Sequence, residues 1–172
     1  MTHDEATLRD MAVHVAYEIE ELRNGFSDWH TSPTNPKNVI VERALLHFRV
    51  LREFFLTPAN KTRHDDDVVA AHYIADWSPQ RKTVFDDTKD EIHKRLAHLS
   101  THRLGCKEEW PIGNMNLAIE ELIETFVNAL PHERRAWFRL RSATTGIFVG
   151  EVANGRRRAE RVQGYTCRMR SM

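Results

Sequence analysis

At 172 residues, with 41% hydrophobic and 29% charged side chains, the chain has the length and composition of one globular domain. Its 7 Gly and 6 Pro are sparse for a β-fold built on frequent turns, and two separated cysteines, Cys106 and Cys167, make no disulfide framework. Net charge is zero, but from Arg141 onward seven Arg face only Glu151 and Glu160, so a tail with five surplus positive charges follows a body with five surplus negative ones.

The first apolar periodicity, Leu8, Ala12, Val15, Ile19 and Leu22, predicts a helix over residues 7–24, with Asn24-Gly25 as its stop. Residues 27–37, with Pro33 and Pro36, read as a loop. A second helix over 37–56 carries the widest apolar stripe: Val41, Ala44, Leu45, Phe48, Leu51 and Phe55. Thr57-Pro58 ends it. A third helix is expected over 66–77, with Asp65, Asp66 and Asp67 suited to its N-terminus, since carboxylates cap free N–H groups and oppose the positive end of the dipole.

A fourth helix, from 79 or 83 to 103, has Phe85, Ile92, Leu96 and Leu99 as its core line. A fifth, over 114–130, buries Met115, Ile119, Leu122, Ile123, Phe126 and Leu130. A short one over 132–140 packs Trp137 and Phe138, and Ile147-Phe148-Val149 could make a brief strand. Short links between helices of similar length favour antiparallel neighbours. The expectation is therefore an all-α, antiparallel four- to five-helix bundle over 1–141, its core drawn from the second, fourth and fifth helices, followed by a short, irregular, largely disordered basic tail over 142–172. No apolar run reaches the ~18–20 residues that cross a bilayer, and Met1 to Glu5 is acidic where a signal peptide would be basic, so a cytoplasmic protein without a membrane partner is expected.

Chemistry concentrates on the fourth helix. Glu91, Arg95, His98 and His102 are spaced by four, three and four residues, which on an α-helix stacks them beside the apolar line. Arg is a permanent cation with planar donors suited to phosphate, and His exchanges a proton near neutral pH. Those groups can cleave an RNA phosphodiester: a His activates the 2′-hydroxyl or protonates the leaving oxygen while the Arg stabilises charge on the phosphoryl oxygens. A plain helix edge bearing surface pairs accounts for the same residues. His47, in line with Ile40, Ala44, Leu51 and Phe54, points inward, either as a hydrogen-bonded core histidine or as an imidazole facing the stripe. Arg49 and Arg52 read as solvated or paired with Asp66 or Asp67.

His98 and His102 have the spacing of two metal-binding imidazoles, but Leu99, Ser100 and Thr101 between them supply no general-base Glu. His72 with Asp76, or Asp90 with His93, could add ligands, yet no spacing demands it, and neither metal nor cofactor is expected. Phosphate-loop, dinucleotide and nucleophile-elbow motifs are absent from the sequence. The run Arg156 to Arg158 suits a nucleic acid or a solvated terminus.

Arg43-Ala44-Leu45-Leu46-His47-Phe48-Arg49-Val50-Leu51, then Asp66-Asp67-Val68-Val69-Ala70, then Ile92 to Ser100 followed by Arg103 resemble a group of bacterial helical proteins similar to the HEPN superfamily, over residues 39–130. The resemblance implies a helical bundle, often dimeric, of the kind that includes metal-independent RNases of toxin–antitoxin and other defence systems. Its active-site motif is an Arg, a short gap and a His; Arg95 and His102 match it with six residues between them, while Leu96 stands where a polar residue is typical. The expected site is thus Arg95, His98 and His102, supported by His47 and Glu91, acting on RNA, with a second copy or an antitoxin protein as partner. A non-catalytic bundle that binds a protein is the main alternative, and a metal-binding bundle the third.

Overall fold

Apolar side chains recurring every three and four residues can all be buried only if the segment is helical. In the computed structural model, which describes residues 3–31, 37–97, 101, 104 and 109–140, that pattern sets the architecture. Among the described residues the regular structure is all helical: α1 (Glu5–Thr31), α2 (Lys37–Leu56), α3 (Thr83–Ile92), α4 (Ile112–Ala129) and α5 (His132–Phe138). Short 3₁₀ turns occupy Ala59–Lys61 and Ala70–His72, and a π-helical turn, His93–Ala97, continues α3. The expected strand at 147–149 and the basic tail at 142–172 lie outside the described residues.

Helix α1 does not stop at Asn24-Gly25 but runs on to Thr31. Gly25 is a packing surface rather than a terminator. A Cβ placed on it would lie 3.1 Å from both Cα and Cβ of Ala44 and 3.3 Å from the Ala44 nitrogen, so its missing side chain lets the α1 and α2 backbones approach closely. The two helices are antiparallel, as the pairs Glu21–Arg43 at 2.6 Å and Glu18–His47 at 2.7 Å require. The inner face of α1, Leu8, Ala12, Val15, Ile19, Leu22 and Phe26, is fully part of the core, which the expected three-helix core left out.

The third helix expected over 66–77 is not there. Asp67 does not cap a helix; its carboxylate accepts the backbone N–H groups of Arg63 and His64, each at 2.9 Å, closing a tight turn. Val69 is extended (φ −130°, ψ 162°), the conformation β-branched residues favour, and Asp76 takes a left-handed φ of 57°. The irregular path delivers Tyr73 and Trp77 inward. Tyr73 donates its hydroxyl to the Leu8 carbonyl at 2.9 Å, and burial pushes this phenol above its ordinary pKa. Trp77 donates its indole N–H to the Phe55 carbonyl at 2.7 Å, satisfying an acceptor in the last turn of α2.

These rings converge on α4. Phe126 is fully buried, with Phe54, Phe55, Tyr73, Trp77 and Phe138 edge-on around it at centroid distances of 5.2–6.1 Å. Polar clamps close the periphery. Arg23 on α1 grips Glu120 on α4 with two parallel bonds of 2.8 and 2.7 Å. Arg135 donates to the Leu130 and Asn128 carbonyls at 3.0 and 2.7 Å, covering the C-terminal end of α4. Arg9 and Arg134 both stack on Trp137.

Gly25 and Gly113 give opposite predictions. Gly25→Val forces α1 off Ala44 and destabilises by about 2 kcal/mol. Gly113→Ala, where an added Cβ meets nothing within 4 Å, stabilises by about 0.5 kcal/mol by restricting the unfolded chain. Urea unfolding of the two variants checks both signs.

Candidate functional site

Arg95 sits in the π-helical turn that continues α3, and its guanidinium carbon lies 4.1 Å from the centre of the Trp110 ring. Trp110 immediately precedes Pro111 and the first turn of α4, with its carbonyl accepting the Ile112 N–H at 2.7 Å. The stack therefore joins the end of α3 to the beginning of α4. Both side chains are half-buried, while His93 and Lys94 beside them are exposed. The result is a guanidinium held over an indole ring, next to two further nitrogen-bearing side chains.

The π turn changes what the spacing means. A π-helix bonds i to i+5, so it holds more residues per turn than an α-helix, and steps of three and four no longer define one straight stripe through it. Glu91 lies half-buried in the last turn of α3, ahead of this widening. His98 and His102, expected as the acid–base pair, lie outside the described residues.

His47 is buried on α2, but its hydrogen-bonded partner is on α1 and not on α3. Its Nδ1 meets the Glu18 carboxylate at 2.7 Å, and its ring stands edge-on to Tyr17 at 6.1 Å. It is the hydrogen-bonded core histidine of the two readings. Arg52 departs further from expectation. It is neither solvated nor near the Asp66–Asp67 pair: only 5% exposed, it donates Nε–H to the Phe85 carbonyl at 2.7 Å and approaches Asp86 at 3.6 Å. The reason is its helical position, which turns it toward α3 beside Phe48 and Phe85, whose rings stack at 5.7 Å. Asp86 also pairs with Arg81, whose hydrogen bond holds that carboxyl below its ordinary pKa. Arg49 pairs with Glu53 one turn on, at 3.6 Å.

Among the described residues, no three His, Cys, Asp or Glu side chains converge as metal ligands. His72 is committed otherwise. Its Nδ1 accepts the Val69 N–H at 3.2 Å, its Nε2 is buried without a hydrogen-bond partner, and His3 stands edge-on to it at 4.8 Å. His3 in turn donates Nε2–H to the Asp67 carbonyl at 3.0 Å, tying the start of the chain to the 63–72 turn.

The residue spacing that singles out Arg95 does not pair it with Trp110, which lies in a distant stretch of chain just ahead of α4. The available signal was a tryptophan placed directly at a helix start, where an amphipathic ring can lie across a neighbouring chain end.

Burial, then the nearby His3, depress the His72 pKa below its ordinary 6.5. A histidine kept neutral by the fold stabilises fully above 6.5, and that contribution is lost as pH falls through the folded value. His72→Asn retains an acceptor for the Val69 N–H and removes the titration. Its melting temperature should therefore fall less than that of the parent between about pH 7.5 and 5.5. An equal fall in both proteins contradicts the assignment. No protein-family model, no characterised protein and no solved structure matches the chain, so its function is read from its own residues and their geometry.

Proposed function

We propose that this chain is a HEPN-like helical protein that binds single-stranded RNA at the junction of α3 and α4 and cleaves it without a metal, using Arg95, His98 and His102. The observation that supports the reading is the Arg95–Trp110 stack at 4.1 Å, half-buried beside exposed His93 and Lys94. Unpaired RNA bases stack on aromatic and guanidinium planes, and phosphates pair with cations; the Arg95–Trp110 contact offers such planes beside the His93 and Lys94 side chains. A π turn suits such a place, because it presents side chains that a regular helix would space differently.

In this reading Arg95 neutralises the phosphoryl oxygens as charge builds on them. One histidine of the pair His98 and His102 takes the proton of the 2′-hydroxyl, which attacks phosphorus. The other protonates the departing 5′-oxygen, leaving a cyclic phosphate. Glu91 and His47 have no step in it: His47 is committed to Glu18.

The test uses a fluorescent single-stranded RNA in EDTA with the parent and three variants. Trp110→Ala and Arg95→Ala should each weaken binding about tenfold, the worth of one stacked base. His98→Ala/His102→Ala should keep binding and lose cleavage. Absence of RNA binding by a folded parent, or binding indifferent to Arg95→Ala, rules the reading out.

A further inference from the structure

Three segments meet at His72: the residues ahead of α1, the turn over 63–73, and α5. The His72 Nδ1 accepts the Val69 N–H at 3.2 Å. A neutral imidazole that accepts at Nδ1 carries its proton on Nε2, and here Nε2 is buried without a hydrogen-bond partner. The His3 ring stands edge-on to it at 4.8 Å, and His3 itself donates to the Asp67 carbonyl at 3.0 Å. From α5, Arg134 donates to the Tyr73 carbonyl at 2.8 Å and reaches the His72 carbonyl at 3.4 Å. The carboxylates beside these contacts are engaged elsewhere. Asp67 accepts the Arg63 and His64 N–H groups, and Asp4 accepts the Thr7 N–H in the first turn of α1. His72 therefore has an imidazole and a guanidinium around it, and among the described residues no carboxylate is hydrogen-bonded to its ring.

We propose that His72 is an acid-operated latch: a proton on its Nδ1 turns the acceptor of the Val69 N–H into a second donor, and the turn over 63–72 then lets go of His3. A donor facing a donor leaves the Val69 N–H unsatisfied, and a buried imidazolium beside His3 and Arg134 has no anion to offset its lost hydration. Moving the ring to water relieves both. Two features keep that movement local. Tyr73, the next residue, stays anchored by its hydroxyl on the Leu8 carbonyl and by its ring against Phe126 and Phe138. Helix α1 retains its own cap, Asp4, when His3 leaves. Residues 63–66 are exposed already, whereas Val69 and Ala70 are buried and meet water only in the open form. None of these residues belongs to the Arg95–Trp110 contact, so the latch and the RNA reading can fail independently.

The experiment is amide hydrogen exchange of the isotope-labelled full chain at about pH 7.5 and about pH 5.0, read by NMR as protection relative to the intrinsic rate at each pH. An open His72 titrates near its ordinary 6.5, so at the lower pH opening gains at most about thirtyfold. Protection of the Val69 N–H, and of the His72 N–H that bonds the Val69 carbonyl at 2.9 Å, should fall about tenfold or more. Leu51 and Ile123, inside α2 and α4, should keep theirs. The ring nitrogen shifts at the higher pH should place the His72 proton on Nε2. In His72→Asn, whose amide oxygen accepts at either pH, the fall should vanish. Unchanged Val69 protection in the parent, a fall shared with Leu51 and Ile123, or a ring proton on Nδ1 overturns the proposal, and each is read on the parent alone. An equal fall in a folded His72→Asn overturns it as well.

Discussion

Phe126 has to be buried, and almost everything else in the fold is arranged so that it can be. Its ring is closed in by Phe54 and Phe55 from α2, Tyr73 and Trp77 from the irregular stretch between α2 and α3, and Phe138 from α5. Edge-on ring pairs contribute about 0.5–1.5 kcal/mol each beyond the area they bury. That geometry explains why the chain does not form the helix expected over 66–77. A continuous helix would keep Tyr73 and Trp77 on its own face, whereas the turns at Asp67 and Asp76 bring both rings into the cluster, where the Tyr73 hydroxyl and Trp77 indole also find backbone acceptors.

Around this cluster, α1 and α2 form a closely packed pair whose contact depends on the absence of a side chain at Gly25. The pair has a wet edge with its own logic. Glu21 with Arg43, and Glu18 with His47, fasten the seam. Just outside it, apolar side chains remain uncovered. Arg52, by contrast, spends its charge inside, bridging α2 to the Phe85 carbonyl of α3. Arg95, over the Trp110 ring, in turn ties the end of α3 to the start of α4.

Much of the fold is legible in the residues. The apolar lines of α2 and α4 are wide and uninterrupted, and Met115, Ile119, Leu122, Ile123, Phe126 and Leu130 are buried as their spacing requires. Local patterns mislead where tertiary packing decides. Asn24-Gly25 has the composition of a helix stop, but the space at Gly25 is used by Ala44. Asp65 to Asp67 look like a helix cap, but Asp67 captures the N–H groups of Arg63 and His64, which precede it. The stripe expected through Arg95 assumed a regular α-helix; the π turn that re-aims Arg95, and the Trp110 ring beside it, depend on how two distant segments meet.

In the function we propose, the Arg95–Trp110 stack is a surface for RNA and not solely a tie between α3 and α4. The chain's four tryptophans give a direct readout. Their indole N–H resonances can be followed while a single-stranded RNA is titrated into the intact protein in EDTA. A saturable shift at Trp110 is expected, with Trp77, whose indole is bonded to the Phe55 carbonyl inside the aromatic cluster, unchanged. A Trp110 resonance that stays in place while RNA is present in excess, or moves only together with Trp77 as the fold is perturbed, would contradict it.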